Sequence, residues 1–562
     1  FGAATGCLVA GYMLLPKFGV QMSLVIAFLF NVIAAAGAFV LEWRSTDDEW
    51  RSGRKNEMEK HGQTSLSMPS IKSNLQTEMT ARDQQPTTSN QQHLTSQFLN
   101  SSTPSFLYLI SIATFIIGFI ALAYEVLLTR LVILFFGNQL IVFTLVLTAF
   151  LLGTGISAFI GTSIYRYFTN TGLLFGVIII TTGVFIVIPP FLFISLSTSE
   201  KSWLMLNQTL FVGLIMLVPV FFIGSLLPLA IRIFQIPDLP DTASNAGKLY
   251  ALNTLGGMLG AGITNYFLVP GIGTQGVLNI FSLLCMALGL SVLWSLKKSV
   301  LRWSFAAISV FALSAIIITL PHKLEGLYTS KLARVSGGDI EPDLKLHHEG
   351  RVATITITDF PWLGFRDMFL NGVEEASTRF GHIQLFKLLG LLPVLVHESN
   401  SPKEALMIAF GAGIAAGATL DSNQVSSLDV VDLNPDIEKI NDFFKEVNGD
   451  AFHNPKFNFI AEDGRNFLLM NPKKYSVIMS DSTHPRAYDS WILYTKEFYE
   501  DIRNHLLPGG VFAQWIPLSD FSLEMYRIML NTFQSVFPNV TLWNIYGTDQ
   551  AFLLATPSPF NL

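Results

Sequence analysis

Residues 475–499, YSVIMSDSTHPRAYDSWILYTKEFY, decide the fold of the carboxyl-terminal part of the chain. The apolar run from Val477 to Met479 predicts a buried strand, and an acid, Asp481, follows it. A polar loop, 482–485, comes next, at the position where open α/β sheets hold their ligands. The stretch therefore predicts a binding or catalytic site at the carboxyl end of a parallel strand.

The same pattern recurs on both sides of this stretch. Apolar runs such as ALMIAF, SSLDVVD, NFIAED and GVFAQWI alternate with helix-like segments from about residue 382 onward. Buried strands that alternate with helices predict a mostly parallel, doubly wound sheet. Residues 344–372 alternate between apolar and polar side chains, which predicts a small antiparallel β unit. We therefore expect a small β domain at 321–380 and a Rossmann-like domain at 381–562.

The amino-terminal half has the composition of a membrane protein. Half of the 562 residues are hydrophobic and 14% are charged, which is too apolar for one soluble protein of this size. We expect a multi-pass integral membrane protein of the plasma or inner membrane, with the lipid bilayer as a partner. The chain opens inside an apolar segment, so we expect a fragment without its first portion. The candidate spanning helices are 2–16, 20–43, 105–123, 139–162, 172–197, 203–233, 247–269, 274–296 and 301–320.

Two of these segments are related by a constant offset. Gly2, Gly6, Tyr12, Leu14, Pro16 and Gly19 match Gly256, Gly260, Tyr266, Leu268, Pro270 and Gly273. The match predicts a duplication, with 1–43 as the last two helices of a first repeat and 105–320 as a second repeat plus a connecting helix. The polar residues 44–104 between them predict a disordered loop. Duplicated bundles are common in transporters. Glu125 and Arg130 at membrane depth predict either an interfacial helix in which they pair with each other or with a neighbouring helix, or a substrate or proton site, which keeps the transport function open.

Charge and cysteine content argue against two further classes of site. The net charge of −6, with no basic stripe, gives no indication of a nucleic-acid partner. The two cysteines, Cys7 and Cys285, lie in apolar segments away from any Cys/His cluster. We therefore expect neither a disulfide framework nor a metal site.

Three acids follow successive predicted strands, behind a glycine-rich turn. Gly411 and Gly413 let the backbone approach a ligand and turn sharply into a helix. Asp432 ends the next strand, where a carboxylate can accept both ribose hydroxyls of a nucleoside. Asp463 follows the third strand and could accept from an adenine amino group, and Asp481 follows the fourth. Single acids at strand ends are often helix caps, but together these residues predict a nucleoside site.

Further motifs follow one another in a fixed order. They are NGVEE at 371–375, GAGIAAG at 411–417, DLNP at 432–435, DG at 463–464, DSTHP at 481–485, FY at 498–499 and LPGGV at 507–511 before Gln514. In this order, over residues 344–557, the chain resembles the spermidine/spermine synthase (polyamine aminopropyltransferase) family. The whole chain resembles the branch in which a multi-helix membrane domain precedes the synthase-like domain.

The resemblance implies a methyltransferase-like fold and a transferase of polyamine biosynthesis. It would move an aminopropyl group from decarboxylated S-adenosylmethionine to an amine, with Asp481 as the general base. The S-adenosyl donor would be a co-substrate, without a tightly bound cofactor. The donor would contact Gly411, Gly413, Asp432, Asp463, Gly464 and Ser482. The acceptor would contact Glu375, His382, His484, Tyr488 and Gln514.

The chain departs from the family pattern at positions that hold the amines. The glycine-rich turn reads GAGIA without the acid of the soluble synthases, and His484 stands where they have a second acid. Glu375 replaces a glutamine, and Phe380-Gly381-His382 replaces a Tyr-His pair. Two alternatives therefore stay open: S-adenosylmethionine-dependent alkyl or methyl transfer to another acceptor, and a transporter whose soluble domain senses or supplies a nucleoside-linked product.

The catalytic domain is expected on the cytoplasmic side, because S-adenosyl donors are cytosolic metabolites. Basic residues in 44–82 and just after residue 296 are also typical of cytoplasmic loops, although a spanning helix at 301–320 would reverse the side. The sequence leaves a homo-oligomer open.

Overall fold

The computed structural model describes most of the chain from residue 104 onward. The described residues are 104–136, 140–164, 167–168, 170–197, 208–235, 242–296, 342–398, 401–487, 490–519 and 521–557. They form a helical bundle followed by an α/β region. The predicted helices 2–16, 20–43 and 301–320, the first repeat of the duplication and nearly all of the polar loop lie outside the described residues.

Seven α-helices form the described part of the bundle. They are α1 (Pro104–Phe136), α2 (Leu140–Ile164), α3 (Thr171–Ile186), α4 (Pro189–Ser197), α5 (Gln208–Ile233), α6 (Thr242–Ile263) and α7 (Val269–Ser295), with a π-helical turn, Thr264–Leu268, between the last two. Among the described residues, five stretches are long and apolar enough to cross a membrane. The last of them has 52 residues, Ser244–Ser295. Gly273 breaks it with a φ of +72°, close to the predicted boundary between 247–269 and 274–296.

Helix α1 is longer than the predicted segment 105–123. The chain continues as one helix through Arg130 to Phe136, so no separate interfacial helix follows. The predicted segment 172–197 is instead divided into α3 and α4, and α4 begins at Pro189, where a proline fits the first helical turn.

Glycines bring α1 and α6 into close contact. A Cβ atom on Gly256 or Gly260 would lie 2.1 Å from the carbonyl oxygen of Phe115 or Phe119. Only the absence of side chains allows the two backbones to approach this closely, as is common between membrane helices.

A small antiparallel β unit comes next and confirms that prediction. Its strands are β1 (Asp343–Glu349), β2 (Thr354–Phe360), β3 (Phe365–Leu370) and β4 (Val373–Ser377), paired in chain order. Asn371 and Gly372 connect β3 and β4, and both have positive φ, as a tight hairpin turn requires.

The α/β region contains a seven-stranded sheet in the order β10-β11-β9-β8-β5-β6-β7. The strands are β5 (Lys403–Ile408), β6 (Val425–Asp432), β7 (Phe457–Ala461), β8 (Tyr475–Ser480), β9 (Leu506–Pro517), β10 (Asn539–Asn544) and β11 (Gln550–Thr556). The helices are α8 (Phe380–Val396), α9 (Ile414–Leu420), α10 (Ile437–Asn448), α11 (Gly464–Met470), α12 (Lys496–His505) and α13 (Leu523–Gln534). In the run β9-β8-β5-β6-β7, each strand is parallel to the strands beside it in that run. The predicted Rossmann-like sheet is therefore confirmed, whereas the antiparallel pair β10–β11 was not anticipated.

The chain reverses its direction of winding between β5 and β8. Strands β6 and β7 extend the sheet on one side of β5, and β8 and β9 extend it on the other. Ligands of open α/β sheets bind at the carboxyl ends of the strands at such a switch point.

Candidate functional site

A cavity of about 290 Å³ lies at this switch point. Gly411, Asp432, Asp463 and Asp481 line it, together with residues of the β unit. The structure therefore brings the three predicted acids, Gly411 and Gly464 into one site, because the carboxyl ends of neighbouring parallel strands share one edge of the sheet. The predicted donor contact Gly413 is not among the residues that line this cavity.

The glycine-rich turn approaches Asp481 closely. Gly411 has a φ of +57°, and a Cβ atom there would lie 3.0 Å from Oδ2 of Asp481. Gly413, with a φ of +76°, precedes α9. Ala409 also has a positive φ of 66°, which costs a non-glycine residue about 1–2 kcal/mol. Strain of this kind tends to be retained at functional sites.

Asp432 holds this turn in place. Its Oδ2 accepts from the backbone N–H of Phe410 at 2.7 Å, and its Oδ1 accepts from that of Asn434 at 2.7 Å. Burial raises the pKa of Asp432. Each carboxylate oxygen can accept more than one hydrogen bond, so Asp432 can still accept ribose hydroxyls from the cavity.

Asp463 combines two roles. As the N-cap of α11, its Oδ1 accepts from the backbone N–H groups of Arg465 at 3.0 Å and Asn466 at 2.9 Å. Asp463 and Gly464 also line the cavity. The helix-cap function is therefore present, and it fixes the carboxylate at the cavity edge.

Asp481 is a cavity-lining acid with a strongly raised pKa. Its backbone N–H donates to the carbonyl of Ile408 at 2.9 Å, which fixes the end of β8 against β5. Burial, and next the negative charge of Asp432, raise the pKa of Asp481 to about 8. A carboxyl group with such a pKa can exchange a proton near neutral pH.

A buried polar network supports the loop after Asp481. The side chain of Gln514 donates to Oγ of Ser482 at 3.1 Å, and that hydroxyl lies 3.2 Å from the Tyr494 hydroxyl. Tyr494 also donates to the carbonyl of Thr483 at 3.2 Å. Ser482 lines the cavity, whereas the predicted acceptor contact Gln514 does not and instead contacts Ser482. Tyr494 was not predicted, because it lies in a short 3-10 turn that carries no sequence signal.

Only some of the predicted acceptor residues line the cavity. Glu375 and His484 line the cavity, and the His484 ring stacks on Phe521 with centroids 5.1 Å apart. His382 is buried in the first turn of α8 and is not among the cavity-lining residues, and burial lowers its pKa. Tyr488 lies outside the described residues. An unpredicted cation, the exposed Arg486, also lines the cavity.

The fold and the cavity define a class: an α/β domain with a cavity and a half-buried acid at the switch point of its sheet. Residues 387–546 match the family model of the spermine/spermidine synthase domain. The polyamine aminopropyltransferase of Saccharolobus solfataricus is 30% identical over 188 residues, which cover 33% of this chain and 60% of that protein. The enzyme of the same name from Sulfurisphaera tokodaii is 31% identical over 174 residues, with 28% and 57% covered.

The chain thus spans about 60% of the length of the curated relatives it matches. Among solved structures, spermidine synthase from Thermotoga maritima is 19% identical to this chain. That comparison covers 40% of this chain and 77% of the other, with a TM-score of 0.35.

Proposed function

We propose that this protein is a membrane-bound transferase that moves an aminopropyl group from decarboxylated S-adenosylmethionine to an amine. The observation that carries the proposal is the position of Asp481, a half-buried acid beside Gly411 in a cavity that Asp432 and Asp463 also line. The family match over residues 387–546 supports the reaction class.

The donor would lie along the ends of β5, β6 and β7. Asp432 would accept from the ribose hydroxyls, Asp463 from the adenine amino group, and the backbone at Gly411 would face the thioether end. The donor carries a positive sulfonium charge, and nearby carboxylates favour a cation at this position.

The transfer step follows from the chemistry of the groups. The amine nitrogen forms a bond to the carbon next to the sulfonium while the carbon–sulfur bond breaks. The electron pair of that bond stays on sulfur, which leaves as the neutral thioether methylthioadenosine. The proton of the amine passes to the Asp481 carboxylate, and orientation of the two substrates supplies much of the acceleration.

S-adenosylmethionine-dependent alkyl or methyl transfer is the second candidate, and Arg486 favours it. Its guanidinium group, at the cavity, could pair with the carboxylate that S-adenosylmethionine has and the decarboxylated donor lacks. The absence of an acid in the GAGIA turn points in the same direction.

We place the bundle in the plasma or inner membrane and the α/β region on the cytoplasmic side, where S-adenosyl donors occur. The five apolar stretches among the described residues support the first part. Lipid, a small-molecule acceptor and a second copy of the chain are the partners that this proposal includes.

Calorimetric titration of the detergent-purified chain tests the proposal. Decarboxylated S-adenosylmethionine, S-adenosylmethionine and methylthioadenosine are titrated separately, and product masses are measured with added amines. Tighter binding of the decarboxylated donor, with an aminopropylated product, supports the leading function. Preference for S-adenosylmethionine supports the second candidate, and absence of binding to all three contradicts both.

A further inference from the structure

Part of the cavity lining comes from two turns of the β unit. Turn 350–353 joins β1 to β2 and supplies Val352 and Ala353, and turn 371–372 joins β3 to β4 and supplies Asn371. The second turn is bonded to Thr354, the residue of β2 directly after the first turn: the backbone N–H of Asn371 donates to the carbonyl of Thr354 at 2.9 Å, and the Thr354 N–H donates to Oδ1 of Asn371 at 2.9 Å. We call these two turns the cavity wall.

The end of helix α1 contacts both turns of the cavity wall. Nη2 of Arg130 donates to the carbonyl of Arg351 at 3.0 Å and to Oδ1 of Asn265, in the π-helical turn, at 2.8 Å. At the second turn, a Cβ atom on Gly372 would lie 2.3 Å from the carbonyl oxygen of Leu134. At Gly372 the wall therefore packs against α1 with no room for a side chain.

A third tie lies directly before the first turn. The Glu349 carboxylate accepts from the backbone N–H of Thr274 at 2.9 Å and also bonds the Thr274 hydroxyl. Thr274 follows the break at Gly273, so this acid satisfies a backbone N–H group at the start of the helical segment after the break.

These contacts account for a charge in an apolar helix. An arginine in such a helix is costly and usually has a defined partner or a function. One of the partners of Arg130, the Arg351 carbonyl, belongs to the turn that lines the cavity. Glu375, the predicted acceptor contact, lies on β4, which begins directly after the second turn.

We propose that Arg130, Asn265 and Glu349 are positioning residues that tie the cavity wall to the bundle, so that placement of the acceptor opposite Asp481 depends on the membrane helices. The turnover part of this inference rests on the proposed function. The dependence of the wall on the bundle does not.

Hydrogen exchange tests the tie itself in the full chain. In Arg130→Gln, the amides of Gly350, Thr354 and Asn371 should exchange at least about tenfold faster, because their hydrogen bonds lie in the wall that Arg130 holds. Arg130→Lys keeps a cationic donor and should restore slow exchange. Lys248→Met is the matched control, since it removes an exposed cation from α6 about 25 Å along the helix from the tie. Unchanged exchange in Arg130→Gln would overturn the proposal.

Kinetics test the consequence for transfer. Arg130→Gln should lower kcat/KM by about 10- to 100-fold, mainly through the KM of the acceptor, because misplacement by about 1 Å has effects of that size. The Kd of methylthioadenosine should stay within about threefold of that of the unmodified protein, because Asp432 and Asp463, at the ends of β6 and β7, do not belong to the cavity wall. An equal loss of methylthioadenosine binding would indicate general damage and contradict a positioning role.

Two results keep the inference separate from the proposed function. If the unmodified protein transfers nothing, the proposed function fails while the exchange experiment still decides whether the bundle holds the wall. If Arg130→Gln does not fold, Glu349→Gln, which keeps the shape of the side chain at the third tie, should give the same exchange pattern in a milder form. Unchanged exchange there would contradict the proposal.

Discussion

Ionisation of Asp481 should determine how transfer depends on pH. Burial and the charge of Asp432 raise its pKa to about 8, and only the ionised carboxylate can take the proton of the amine. With this pKa, about one-tenth of the groups are ionised at pH 7 and about nine-tenths at pH 9. We therefore expect ionisation of Asp481 to contribute a rise of about tenfold in kcat/KM between these pH values, in addition to the effect of the acceptor amine's own ionisation.

Asp481→Asn isolates this effect because it keeps the shape of the side chain and removes the base. The variant should lose about 10²- to 10⁴-fold in kcat/KM, together with the inflection near pH 8, while it still binds methylthioadenosine. Release of methylthioadenosine at a series of pH values is the assay. The acceptor amine titrates in the same way with both proteins, so the difference between the two profiles reports Asp481. A variant profile with the same inflection would refute the assignment.

The raised pKa of Asp481 leads to two further predictions, one for the pH of the inflection and one for the dependence of Tm on pH. Asp432→Asn removes the neighbouring negative charge, so the inflection should move to lower pH. A carboxyl group with a raised pKa in the folded protein contributes to stability at acid pH, and this contribution is lost as the pH rises through the folded-state value of about 8. Asp481→Asn removes this loss because asparagine does not ionise. The Tm of the variant minus the Tm of the unmodified protein should therefore increase between pH 5 and pH 9. A difference that decreases as the pH rises would contradict a raised pKa.

Three other predictions concern single residues of the cavity. Asp463→Ser keeps a good helix cap but removes the carboxylate, so Tm should change little while the Kd of methylthioadenosine rises about tenfold or more; an unchanged Kd would exclude the adenine contact. Gly411→Ala should lower kcat/KM at least about tenfold, because its Cβ would crowd Asp481 at a φ of +57°, and full activity would contradict the close approach. His484→Phe keeps the stacking on Phe521, so kcat/KM should stay within about threefold; a large loss with a changed pH profile would instead make the imidazole a base.

The sheet side of the site could be predicted from the sequence because its signals are local. Asp432, Asp463 and Asp481 each follow an apolar run, and parallel strands bring their carboxyl ends to one edge. Their presence in one cavity follows from that rule alone. The helix-cap reading and the binding reading of Asp463 did not exclude each other, because one oxygen caps α11 while the residue still lines the cavity.

The cavity wall and its contacts with the bundle depend on long-range packing and could not be predicted. The bond from Arg130 to Arg351 joins residues 221 positions apart, and the bond from Thr274 to Glu349 joins residues 75 positions apart. The sequence showed only that Arg130 needed a partner. His382 illustrates the same limit: its helix was expected, but which face of α8 turns toward the core is decided by packing.

The absence of an acid from the GAGIA turn, 411–415, bears on the choice of acceptor. Within this turn, Ile414 is 2% exposed and packs in the hydrophobic core of the domain. Among the described residues, four carboxylates line the cavity: Glu375, Asp432, Asp463 and Asp481. The proposed function assigns Asp432 and Asp463 to the donor and Asp481 to the base, which leaves Glu375. Since each ammonium group of a polycation needs its own anionic partner when it leaves water, a single carboxylate remains to bind a second charge. We therefore expect a monoamine or a short diamine as the acceptor rather than a long polyamine.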